Sequence, residues 1–167
     1  LQAQDTSYII KSINLNGELT TVDSLWEVHF NPSNIVLFNE SWYMGGDNYV
    51  RFGKEYFTSQ NFDLMNGNQR IMIDSFNNGR GLSLAFSNFD LNFFDKYFKS
   101  KAITYRGRIY DFDIKIGDIF TMKDMNAFIS TDSIFINGHA YGEVTGNLEM
   151  ADLKSPLQCK MFLIDKD

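Results

Sequence analysis

The sequence predicts an all-β chain, built as a long antiparallel sheet with one short amphipathic helix. Three observations carry this. Of 167 residues, 16 are Phe, 8 are Tyr and 2 are Trp, against only 2 Pro. Aromatic and β-branched side chains suit a pleated, half-buried surface. Asn-Gly occurs at Asn16-Gly17, Asn66-Gly67, Asn78-Gly79 and Asn137-Gly138, and this dipeptide is favoured at the centre of a type I′ hairpin turn. Between these turns apolar and polar residues alternate, which gives a strand one dry and one wet face. Together these features predict a meander.

The strands follow from the alternation. Trp26, Val28 and Phe30 share a face early in the chain. Ile71 and Ile73 share one within Arg70–Asp74, and Leu82, Leu84 and Phe86 do so in the next run. Tyr110, Phe112, Ile114 and Ile116 lie opposite Asp111, Asp113 and Lys115. The longest run sets Ala140, Gly142, Val144, Gly146, Leu148 and Met150 against Tyr141, Glu143, Thr145, Asn147 and Glu149. Leu157, Cys159, Met161 and Leu163 continue it after the break at Pro156. One segment departs from the period of two. Leu91, Phe94 and Phe98 fall at i, i+3 and i+7, with Asp90 as N-cap and Lys96 and Lys99 toward the C-terminal end. This spacing predicts a helix over Asp90–Lys99 that lays an aromatic stripe on the sheet.

Length and charge narrow the function. The chain suits a single domain over residues 1–167. Its net charge is −6, with acidic and basic residues scattered. Nucleic acids and anionic membrane surfaces both need clustered Lys and Arg, so neither is an expected partner. The lone cysteine, Cys159, is expected to be a small buried hydrophobe. No signal peptide and no apolar run of about 18 residues occurs. Beginning at Leu1 without an initiator Met, the chain is expected to be a piece of a longer protein.

Catalytic and metal motifs are weak. Gly81–Ala85 half-matches the G-x-S-x-G elbow, but strand patterning surrounds it. His29 and His139 are the two histidines, and His139 follows a turn signal. Asp111 and Asp113 alternate on a strand and lack the glycine-punctuated loop of a calcium site. Gly45-Gly46-Asp47 lacks the Lys and following helix of a phosphate cradle and reads as a turn. No catalytic residue, metal site or cofactor is assigned, and the expectation is a protein that is not an enzyme.

A family resemblance rests on the order of several pieces. They are Asn31–Trp42, then Asp47–Phe52, Gln60–Leu64 and Asn68–Ile73. Ser87–Phe94, a strand containing Gly107, and Asp132–Gly142 follow. In this order and spacing, residues 31–150 resemble the repeated β unit of the TamB/AsmA-like family in its Bacteroidetes-type form. The resemblance implies a long curved sheet, open on one side like a taco shell, with an apolar interior. It further implies an inner-membrane anchor in the parent protein, a path across the periplasm, and an outer-membrane partner of the Omp85 class. Phospholipid conduction, or support of outer-membrane assembly, is the implied role.

The expected lining of that groove is Ile71, Ile73, Leu82, Leu84, Phe86, Phe112, Ile114, Ile116, Val144, Leu148 and Met150. Acyl chains suit such a surface, because each buried CH₂ contributes about 0.8 kcal/mol without a directional partner. Neighbouring repeats of the parent are the other expected partners. The alternative is a soluble adhesive or carbohydrate-binding β domain, with Trp26, Trp42 and the tyrosines as a stacking platform. Aromatics on alternating strand positions favour the lining, whereas aromatics exposed on loops favour the platform.

Overall fold

The computed structural model describes residues 2–3, 10–14, 16–37, 40–92 and 104–164. After the short β1 (Gln2–Ala3), most strands are halves of longer ones that bend midway. Thus β2 (Ile10–Asn14) leads into β3 (Gly17–Val22), and β4 (Leu25–Phe30) into β5 (Ser33–Leu37). Likewise β6 (Glu40–Met44) leads into β7 (Tyr49–Gly53), and β8 (Tyr56–Gln60) into β9 (Phe62–Asn66). Then come β10 (Gln69–Phe76) and β11 (Gly81–Asp90). After them β12 (Tyr105–Arg106) leads into β13 (Arg108–Asp118), and β14 (Lys123–Thr131) into β15 (Ile134–Ile136). The last are β16 (His139–Met150) and β17 (Gln158–Ile164).

Each long strand pairs antiparallel with the next, the expected meander. The halves β3, β4, β7 and β8 form a four-stranded sheet, and the other strands form a thirteen-stranded one. Neither sheet closes on itself. Where the strands pass from one sheet to the other, the side chain of Asn48 replaces a ladder partner. Its Oδ1 accepts the Phe30 N–H and its Nδ2 donates to the Phe30 carbonyl, both at 3.1 Å. Ser59 ties β8 to β10: its N–H donates to Ser75 Oγ at 3.0 Å and its Oγ to the Ile73 carbonyl at 2.9 Å.

The turns refine the Asn-Gly reading. Asn137 and Gly138 both have positive φ, 52° and 79°, and join β15 to β16 as a two-residue type I′ turn requires. Asp23 and Ser24, with φ of 51° and 65°, make a similar connection between β3 and β4 that the sequence did not advertise. Asn16-Gly17 is not a hairpin. Gly17 is already the first residue of β3, and the Asn31 N–H donates to the Asn16 carbonyl at 2.8 Å. Asn78-Gly79 sits in a 3₁₀ turn between β10 and β11.

The predicted helix over Asp90–Lys99 falls largely in residues 93–103, outside the described residues. Asp90 itself is the last residue of β11, and its Oδ1 accepts the Asn92 N–H at 2.8 Å.

The core gathers Ile35, Trp42, Met44, Leu64 and Phe89. Trp42 on β6 stacks on Phe89 of β11, with ring centroids 5.5 Å apart and planes 19° apart. The strand order β6-β9-β10-β11 puts three ladder spacings between them, about 14 Å in a flat sheet. The sheet therefore curls on its apolar side, and these two rings fill the curl.

Candidate functional site

Residues directly opposite in a ladder share a face, so the registers define two surfaces of the larger sheet. One row runs Leu64, Ile71, Phe86, Phe112, Ile129 and Gly146 from β9 to β16. The next runs Phe62, Ile73, Leu84, Ile114, Ala127 and Leu148. A third joins Leu82, Ile116, Met125 and Met150. Val144 lies on the same side of β16, two residues from Gly146 and opposite Leu163. All eleven residues singled out in the sequence thus share one face, and each is half-buried.

The other face is polar. Ser83 Oγ donates to Asp113 at 3.0 Å, Lys115 pairs with Asp113 at 2.9 Å, and Arg70 pairs with Asp63 at 2.5 Å. The difference between faces is chemical, since both are built on the same strands.

On the apolar face, Phe86, Phe89, Ile109, Phe112 and Ile129 line a cavity of about 320 Å³. Phe86 meets Phe89 edge-on at 5.5 Å and Phe112 at 5.8 Å. Three of the five lining residues escaped the sequence reading. Phe89 is out of step with Leu82, Leu84 and Phe86. It reaches their face because Asn88 adopts φ 58°, which breaks the alternation. Ile109 joins through a register shift between Ile109 and Asp111. That shift also leaves Tyr110, grouped with Phe112 by the period of two, exposed. An asparagine within an alternating run was the available signal for the first. Ile129 was simply passed over.

The aromatic discriminator divides. Trp42 is fully buried and belongs to the core. Trp26 stands directly opposite Phe52, which stands opposite Phe57, across the smaller sheet. Trp26 is 49% exposed and Phe52 41%. They lie on strands, not loops. On the reverse face, the buried Glu27 pairs with Arg51 and takes a 2.9 Å hydrogen bond with His29 Nε2. Arg51, and then His29, hold the Glu27 carboxyl below its ordinary range. Arg51 also stands over the Tyr49 ring at 4.6 Å.

The weak motifs separate in space. Ser83 belongs to the row that ends at Glu149, whereas His139 stands at the far end of β16 beside the Asn137-Gly138 turn. That is ten residues, or about 33 Å, along one strand. Gly81–Ala85 lies within β11, without an elbow. Gly45–Asn48 is the connection between β6 and β7. No three His, Cys, Asp or Glu side chains among the described residues are grouped to hold a metal. No helix among them is long and apolar enough to cross a membrane. Cys159, expected to be buried, is exposed; among the described strands β17 pairs only with β16.

The chain matches no family model, no curated protein and no solved structure. The likeness to the TamB/AsmA-like repeat thus rests on the order and spacing of its sequence pieces.

Proposed function

We propose that this chain is a non-catalytic segment of a TamB/AsmA-like envelope protein whose apolar β face carries phospholipid acyl chains. In this reading the parent protein is anchored in the inner membrane, and this segment lies in the periplasm. Lipid moves along the face toward the outer membrane, or the segment supports outer-membrane assembly with an Omp85-class partner. Neighbouring repeats of the parent extend the face. The observation that carries the reading is the set of continuous apolar rows crossing β9 to β16. A surface without polar side chains holds an acyl chain at any point along it, by about 0.8 kcal/mol per CH₂. Even affinity of that kind lets a chain slide without being trapped.

Neighbouring residues of β14 provide the test. Ile129 lies on the apolar face and Phe128 on the polar one, although both are hydrophobic. A photo-crosslinking residue at 129 should capture phospholipid from vesicles or cells, and one at 128 should not. Equal capture at both positions would count against a lipid-bearing face.

The exposed Trp26–Phe52 pair favours a second reading, a stacking platform for sugar rings. Trp26→Ala abolishing binding to a polysaccharide array, with no lipid captured at 129, would select it.

A further inference from the structure

The polar face of the larger sheet carries a site that neither reading above uses. Two hollows adjoin on it, of about 370 and 150 Å³. They share Asn126 and Glu149, which stand directly opposite each other on β14 and β16. The larger hollow alone falls within the range of about 300–1,000 Å³ that small-molecule sites occupy. It runs from this pair to Asp124, Ser155 and Gln158. The smaller one holds Phe128, with Asp113 opposite it on β13 and Asn147 opposite it on β16. Phe128 is 39% exposed, an aromatic ring in the middle of a wet face. Asn126, Asn147, Glu149 and Gln158 are exposed beside it.

The chemistry of this face narrows the ligand. An acyl chain would meet amides and carboxylates on every side of the one ring. The charges nearly balance: Lys115 pairs with Asp113 at 2.9 Å, and Lys160, opposite Asn147, stands against Asp124 and Glu149. Neither an anion nor a cation is strongly selected. Side-chain amides both donate and accept hydrogen bonds, whereas carboxylates only accept. A hydroxyl answers both groups, because it donates and accepts through one atom. The Phe128 ring presents a negative π-face, to which C–H groups are drawn. Hydroxyls around a rim and C–H groups on a flat face are the chemistry of a pyranose ring. A peptide, by contrast, docks extended on a sheet's edge, through backbone ladders, rather than on its face. From this combination we infer that the polar face binds an uncharged polysaccharide. One sugar ring stacks on Phe128, and the hydroxyls of the chain run along Asn147, Asn126, Glu149 and Gln158. The site stands apart from the Trp26 platform, which belongs to the smaller sheet. Lipid on the reverse face leaves it free.

Affinity electrophoresis of the 167-residue chain through gels containing a neutral glucan, a galactomannan or a xylan tests this. At least one of the three should retard the chain. The retardation should persist at about 1 M salt, where charge interactions are screened beyond about 3 Å. Phe128→Ala should weaken binding about tenfold or more, the effect of losing one stacking contact. Asn147→Ala should weaken it severalfold, through a hydrogen-bonding group rather than the ring. Both residues are exposed, so both variants should keep the wild-type circular dichroism. Trp26→Ala should leave the retardation unchanged. No retardation by any of the three polysaccharides would overturn the inference. So would binding lost with Trp26→Ala but kept with Phe128→Ala, which moves the sugar to the smaller sheet. Retardation abolished by salt would also overturn it, since the contact would then be ionic. None of these outcomes depends on lipid capture at position 129.

Discussion

Asp118 shows how a single side chain holds one end of the sheet. Its Oδ2 accepts hydrogen bonds from Arg80 Nε and Nη2 at 3.1 and 2.7 Å, and Arg80 Nη1 reaches Glu55 at 3.3 Å. Its Oδ1 accepts the N–H groups of Phe120 and Thr121 at 2.9 and 3.2 Å. Three turns are thereby joined: Glu55 follows β7, Arg80 precedes β11 and Asp118 ends β13. Arg80 first, and then the Thr121 hydroxyl and these backbone donors, lower the carboxyl pKa from 3.8 to about 2. A depressed pKa stabilises the fold above the unfolded value and loses that effect as pH falls through the folded one. The relevant window is thus between 3.8 and about 2. Asp118→Asn should melt below wild type at pH 7, and the gap should close as pH falls across that window. A gap that persists undiminished at pH 2 would mean that packing, rather than charge, explains the loss.

At the scale of elements, the long strands bend where backbone geometry is unusual. Gly107, Ser133 and Gly142 mark neighbouring breaks in β12/β13, β14/β15 and β16. Gly107 has φ 122°, and an added Cβ would stand 2.4 Å from the Ser133 carbonyl oxygen. Gly142 has φ 73°. Thr131, buried beside the bend, accepts the Val144 N–H at 2.9 Å and donates to the Val144 carbonyl at 3.2 Å, standing in for a ladder pair. Gly107→Ala should cost about 1–3 kcal/mol from conformation alone, with the backbone clash added. Gly138→Ala also has positive φ but meets nothing within 4 Å, so its loss should be clearly smaller. Urea unfolding of both variants decides this. Equal midpoints would show that the bend does not depend on the close approach at Gly107.

For the molecule as a whole, the curl is the feature that brings distant strands together on the apolar side. It depends on residues distant in sequence, Trp42 and Phe89, meeting across three strand spacings. Phe86 and Ile109 pack against the same cluster, so the core and the 320 Å³ cavity share a wall. Trp42→Ala empties a fully buried site and should destabilise the chain by about 3–5 kcal/mol in denaturant titrations. Its near-ultraviolet dichroism should fall as the stack is lost. A loss below about 1 kcal/mol would show that the curl stands without this pair.

The meander and the sidedness of its strands were legible in the sequence, because a period of two is a local property that burial on one face imposes on every strand. That is why residues from Ile71 to Met150 could be assigned to one face before any pairing was known. The sequence determined much less about the turns: Asn137-Gly138 is a hairpin while Asn16-Gly17 is not, since the dipeptide permits a left-handed backbone without requiring one, and Gly138 adopts it whereas Gly17 is extended in β3. Tertiary structure alone decided the rest. It placed Phe89 and Ile109 on the apolar face by breaking the alternation at Asn88 and Tyr110. It buried Trp42 while leaving Trp26 exposed, and it left Cys159 exposed. A side chain's period says which way it points, but whether anything covers it depends on strand order and curvature, which arise from contacts between residues far apart in the chain.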